Sequence, residues 1–111
     1  MTTLSTHVLD TMHGRPAAGL EIELTGPTGS IGRGTTNADG RCPGLAPDDL
    51  APGRYAIRFA VADYFRAQGV ALPDPPFLDI VTVDFGIAAD GGHYHVPLLV
   101  SPFAYSTYRG S

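Results

Sequence analysis

The sequence has no lysine and no tryptophan, and a single cysteine. It is also sparing with charge: seven basic residues, all Arg, and eleven acidic ones leave a formal net charge of −4 over 111 residues. Each shortage closes off a class of function. Without lysine there is no Schiff-base nucleophile and no phosphate-gripping P-loop. With Cys42 alone there is no internal disulfide framework and no cysteine-rich zinc site. An acidic chain without a basic cluster disfavours nucleic acid as the main partner, because phosphate binding needs concentrated positive charge. No apolar run approaches the roughly 20 residues of a membrane span, and Met-Thr-Thr-Leu-Ser-Thr-His at the start carries no apolar leader core. These absences predict a cytoplasmic protein, in a reducing compartment, that uses neither membrane nor nucleic acid.

What the chain does have is turns. Fourteen Gly and ten Pro make up about a fifth of it, against about an eighth in average proteins. Long helices are excluded on that ground. The hydrophobic share, 43%, is too high for a disordered chain. A mass of 11.6 kDa is one domain, residues 1–111, and folding buries about two-thirds of the surface of such a chain. That core suffices without staples, with little excess, so association between subunits would help.

Period-2 alternation marks the strands. Leu4 to Asp10 is the first, with Leu4, Thr6 and Val8 on one side and Ser5, His7 and Leu9 on the other. His13-Gly14-Arg15-Pro16 reads as a turn. Leu20 to Thr25 alternates most cleanly, as a strand does in an antiparallel sheet with one wet face. Further strands are predicted over Ile31–Thr36, Arg54–Val61, Leu78–Phe85, His93–Val100 and Ala104–Tyr108. Ala62 to Gln68 is the one short helix, ended by Gly69. Seven or eight short strands with frequent turns predict a β-sandwich.

Chemistry concentrates in few places. His93-Tyr94-His95 puts two imidazoles on one face of a strand. A metal would need a third ligand and usually a fourth, and His7 could supply one only from a neighbouring strand. The plainer reading is a pair of hydrogen-bonded histidines at a hairpin mouth. His7 shares a half-polar face with Ser5, and imidazole is the side chain best suited to accept a proton at neutral pH. Arg41 follows the tight turn Asn37-Ala38-Asp39-Gly40. It is either a solvated partner of Asp39 or a planar donor fork for carbonyls or an anionic ring. Cys42, with no base beside it in sequence, reads as a small buried hydrophobe. The tail, Tyr105-Ser106-Thr107-Tyr108-Arg109-Gly110-Ser111, has aromatics every third position and reads as packed.

These blocks together resemble a known family. Leu4-Ser5-Thr6-His7-Val8-Leu9-Asp10, Thr36-Asn37-Ala38-Asp39-Gly40-Arg41, Gly53-Arg54-Tyr55, Asp63-Tyr64-Phe65, His93 through Pro102 and the final Tyr108-Arg109-Gly110-Ser111 are similar to the motifs of the transthyretin-related 5-hydroxyisourate hydrolases. The resemblance runs from Leu4 to Ser111. It implies an all-β, prealbumin-like (transthyretin-like) β-sandwich of two four-stranded sheets with one short helix. It implies a homotetramer, a dimer of dimers, whose channel holds two active sites, each lined by two subunits. The implied reaction opens the ring of 5-hydroxyisourate with water, to 2-oxo-4-hydroxy-4-carboxy-5-ureidoimidazoline in urate breakdown, with no metal and no organic cofactor. His7, Arg41 and His95 match the family's catalytic positions, and Tyr108 and Ser111 fall on the motif that closes the site over substrate. His13, Cys42 and His93 receive no role. The same fold also serves transthyretin as a carrier of thyroid hormone, so a non-catalytic carrier of a ring ligand is the other function the resemblance allows.

Overall fold

The computed structural model describes residues 1–110. Eight strands and one helix follow in the order β1 (Thr2–Asp10), β2 (Arg15–Pro16), β3 (Glu21–Gly26), β4 (Gly29–Thr35), β5 (Gly53–Ala60), α1 (Val61–Ala67), β6 (Ile80–Ile87), β7 (Gly92–Val100) and β8 (Tyr105–Thr107). They form two four-stranded sheets, ordered β2-β1-β7-β8 and β4-β3-β5-β6. This is the sandwich of two four-stranded sheets that the resemblance implies.

The alternation seen in the sequence becomes the two inner faces. Leu20, Ile22 and Leu24, Tyr55, Ile57 and Phe59, and Val81 and Val83 line one side of the core. Val8, with Tyr94, Val96, Leu98 and Val100, lines the other. Most strand ends fall a residue or two from their expected places, as fraying ends do. Two departures are larger in kind. Arg15-Pro16, expected inside a turn, pairs with Asp10 and Leu9 as a short edge strand. Val61, expected to end a strand, opens the helix. The backbone N–H groups of Val61 and Ala62 both donate to the carbonyl of Asp79, at 3.1 Å each, which satisfies helix-start donors that no side chain caps.

One pairing lies beyond alternation altogether. β1 and β7 run parallel over nine residue pairs, from Thr2 beside Gly92 to Asp10 beside Val100. The other sheet is antiparallel throughout.

Asp10 ends β1 and is wholly buried. Its Oδ1 accepts the His13 backbone N–H at 2.9 Å, and its Oδ2 accepts the Tyr64 hydroxyl at 2.7 Å and lies 2.6 Å from His13 Nδ1. Burial alone would raise this carboxyl, but the bonds from His13 and Tyr64 outweigh it and hold Asp10 below the usual carboxylate range. Burial and the same bond push the Tyr64 hydroxyl up to about 12, so it stays a donor. The helix is thereby tied to the end of the strand that carries His7.

Tyr64→Phe strips a donor from a buried charge, and we expect it to cost about 1.5–3 kcal/mol in denaturant unfolding. Because the folded Asp10 carboxyl is depressed, its contribution is complete above an unfolded value of about 4 and is lost as pH falls through the lower folded one. Asp10→Asn should flatten that acid limb. A Tyr64→Phe protein as stable as its parent would sink the assignment.

Candidate functional site

The parallel register builds the site. On the face of the β2-β1-β7-β8 sheet turned away from the core, Thr3 lies beside His93, Ser5 beside His95 and His7 beside Pro97. His7 and His95, far apart in the sequence, thus become diagonal neighbours on one face, both half-buried. The expected position of His7 opposite the Val8 side of its strand is what the structure shows.

Arg41 reaches the same face through a loop that the sequence specifies closely. Thr36 is buried, donating its hydroxyl to Ala17 at 2.6 Å and accepting the Leu20 N–H at 2.9 Å. Asn37 then folds the chain back: its Oδ1 accepts the N–H groups of Asp39 (2.9 Å) and Arg41 (3.1 Å), and its own N–H donates to the Arg41 carbonyl. Gly40 takes φ +75°, and a Cβ there would overlap the Val8 carbonyl. Its own carbonyl accepts the Val8 N–H at 2.8 Å, which sets Arg41 against His7 in a single antiparallel bridge. Beyond it, Cys42 to Leu45 lies against β4, where Gly32 and Gly34 leave the space. The Arg41 side chain makes no ion pair with Asp39 or any other acid among the described residues.

The tail closes against the third member. Gly110 donates its N–H to the His95 carbonyl at 2.8 Å, and a Cβ on Gly110 would stand 2.6 Å from His95 Cδ2. Arg109 lays its guanidinium 3.9 Å from the centre of the Tyr94 ring, a cation–π contact that anchors the tail. The packing expected of this segment is therefore present. Tyr108, expected to bind substrate, stands apart within one chain. It lines a hollow of about 220 Å³ with Val83, Phe85 and the inward-facing Tyr94 and Val96, on the opposite side of the sheet from His95. Ser111 lies outside the described residues.

Electrostatics suit proton chemistry. Burial holds the His95 imidazole below its usual value, and the nearby Arg41 guanidinium, joined by the His7 and His93 rings when these are protonated, pushes it the same way. His95 is thus a neutral base at neutral pH. Cys42 is no rival nucleophile, since burial raises its thiol. Among the described residues no three His, Cys, Asp or Glu side chains converge as a metal site would need. A larger hollow of about 510 Å³ on the far sheet is lined by Glu21, Glu23, Arg33 and Arg58, and Glu23 already pairs with both arginines.

Two hydroxyls beside the histidines were not legible as site residues in the sequence. Ser5 and Thr3 contact His95 and His93 directly. Their period-2 spacing with His7 put them on its face, but only the parallel pairing brings that face to the histidines.

A two-sheet sandwich with one short helix and a polar His–Arg face on one sheet defines a transthyretin-like protein. The chain belongs to the HIUase/Transthyretin family, whose model matches residues 4–110. It is 53% identical to a 5-hydroxyisourate hydrolase of Pseudomonas aeruginosa, covering all of this chain and 93% of that one. It is 54% identical to the 5-hydroxyisourate hydrolase of Ralstonia nicotianae, with both chains covered in full. Among solved structures, Klebsiella pneumoniae 5-hydroxyisourate hydrolase superposes with a TM-score of 0.88 at 34% identity, over the whole of both chains. An (S)-allantoin synthase matches with a TM-score of 0.91 at 41% identity; this chain is covered to 99% and spans 44% of that one. Sea bream transthyretin in complex with thyroxine matches with a TM-score of 0.85 at 29% identity, covering 96% of this chain and 93% of that one.

Two measurements test the site as built. In a histidine NMR titration, His95 should protonate below 6.5, and Arg41→Gln should move it back upward by removing a neighbouring cation. Gly110→Ala should unseat the tail from His95 while leaving thermal stability nearly unchanged, visible as faster hydrogen exchange of the backbone amide at position 110.

Proposed function

We propose that this chain is a hydrolase that opens the ring of 5-hydroxyisourate with water, and that His7, Arg41 and His95 do the work. The observation that carries the reading is full-length identity above one half to proteins named 5-hydroxyisourate hydrolase, in a chain whose His7, Arg41 and His95 share one face.

The chemistry follows from the residues. Opening a cyclic amide requires a water stripped of one proton, a stabiliser for the oxyanion that forms at the attacked carbon, and a proton for the leaving nitrogen. His95, kept neutral, takes the water proton. Arg41 docks substrate oxygens with paired N–H donors and holds the developing negative charge. His7, beside Arg41, orients the water or the ring and shares in the proton traffic. The carbon–nitrogen bond then breaks, the proton of the new carboxyl group passes through His7 to the leaving nitrogen, and the water proton held by His95 is the one that reaches solvent in each turnover. Ser111 and Tyr108 are assigned to substrate binding on the strength of the Tyr-Arg-Gly-Ser motif, Tyr108 from a neighbouring subunit of the assembly.

The working assembly in this reading is a homotetramer, a dimer of dimers, in which the polar face of one subunit meets that of another and two subunits line each site. In the same reading the reaction uses no metal and no organic cofactor and runs in the cytoplasm. A carrier role is the weaker reading, because a face bearing His7, Arg41, His93 and His95 is a poor lining for an apolar ring ligand.

The test is a coupled assay in which urate oxidase supplies 5-hydroxyisourate and its ultraviolet decay is followed. The protein should accelerate decay well beyond the spontaneous rate. His95→Ala, and Arg41→Lys, which keeps charge but loses the fork, should each lower turnover by about 100-fold or more with the fold intact. A folded tetramer that leaves the decay rate unchanged would overturn the hydrolase and make thyroid-hormone binding the next measurement.

A further inference from the structure

We propose that Ser5 and His93, steadied by Thr3, form a proton relay that carries the proton taken up by His95 out to solvent. The proposal rests on the hydrolase reading and deepens it, since that reaction must discharge one proton per turnover.

The geometry is an unbroken chain along the outer face of β1 and β7. His95 Nδ1 lies 2.7 Å from Ser5 Oγ, Ser5 Oγ lies 2.9 Å from His93 Nε2, and His93 Nδ1 lies 2.6 Å from Thr3 Oγ1. Every link is at hydrogen-bond length. The parallel register places each pair side by side, so the chain is set by backbone and not by mobile side chains. It engages only the Nδ1 of His95, which leaves Nε2 as the nitrogen free to meet water.

The proton count closes. In the resting state His95 Nδ1–H donates to Ser5, and the Ser5 hydroxyl donates to His93 Nε2. When His95 Nε2 accepts the water proton, the ring becomes an imidazolium. Its Nδ1 proton passes to Ser5 Oγ as the Ser5 hydroxyl proton passes to His93 Nε2. His95 is again neutral, and His93 now carries the charge. The exposed His93 ring hands one proton to buffer, and exchange with solvent restores the starting arrangement.

Direction comes from surroundings. His95 is half-buried and shares its face with Arg41, whose positive charge repels a proton resting on the imidazole. His93 stands in water, with Arg109 approaching only its backbone carbonyl, at 3.5 Å. Charge therefore runs outward. Ser5 and His93 act through His95 and are positioning residues, not catalytic ones.

The experiment compares wild type, Ser5→Ala, His93→Gln and the double variant in the 5-hydroxyisourate assay, in dilute buffer and with added imidazole. His93→Gln keeps an exposed polar side chain but cannot carry a proton. It should lower kcat about tenfold in dilute buffer with KM unchanged, and imidazole should restore it, because a diffusing base replaces the missing one. Ser5→Ala should lower kcat as well, and the double variant should be no worse than the more damaged single one, as expected of groups in one chain. His93→Gln with wild-type kcat in dilute buffer, or a loss that imidazole does not relieve and that falls on KM, would overturn the relay. Should Ser5→Ala fold poorly, His93→Gln decides alone. Absence of acceleration by wild type would instead overturn the hydrolase reading, so the two failures are distinct.

Discussion

The molecule depends on one pairing: the parallel alignment of its first strand with its seventh. That ladder completes one wall of the core through Val8, Val96 and Leu98 on its inner side. On its outer side the same ladder sets His7, Ser5 and Thr3 among His93 and His95. Because side chains alternate with period two, core and site share one register, and a slip of one residue would empty both at once. Thr6 guards that register from inside, its buried hydroxyl donating 2.7 Å to the Val96 carbonyl on the neighbouring strand.

Around this ladder the remaining elements act as clamps. The Asp10 carboxylate, with Tyr64 and His13, ties the far end of β1 to the helix, and the helix is tied by backbone to the start of β6. The Asn37–Gly40 turn ties the connection after β4 to Val8 and His7. These clamps hold Arg41 and His7 by backbone geometry, the rigidity that the role proposed for Arg41 requires. The closing tail is held more lightly, by the Gly110 bond to the His95 carbonyl and by the Arg109 guanidinium, which lies on the Tyr94 ring and reaches the His93 carbonyl.

Much of this was legible in the residues. Leu20-Glu21-Ile22-Glu23-Leu24 alternates as only a half-buried strand does, and Tyr55, Ile57 and Phe59 point inward as read. The helix and its Gly69 end followed from the one stretch with helical spacing. The tight turn before Arg41 was visible in Asn37 and Gly40, and the two-sheet sandwich followed from the family motifs. What could not be read were pairings between distant segments. Nothing in Leu4–Asp10 announces a parallel partner so far along the chain, well outside the window of about 11–18 residues over which hydrophobic pattern carries signal. Arg15-Pro16 looked like turn because a two-residue edge strand has no period to detect. Tyr108 shares a motif with Ser111, but adjacency in a motif does not decide which face of a sheet an aromatic ring takes.

The order in which the chain is made adds a consequence. On the ribosome, Thr2–Asp10 emerges long before Gly92–Val100, so the first strand waits without its main partner through most of synthesis. The β4-β3-β5-β6 sheet has all of its members in hand by Ile87 and can assemble earlier. Until the seventh strand arrives, Leu4 and Val8 sit on an unpaired edge, a template for the wrong strand from another nascent chain. Pairing over so long a separation is also slow, since loop closure precedes any reward. The polar face that carries His7 therefore cannot be completed before the seventh strand has been made.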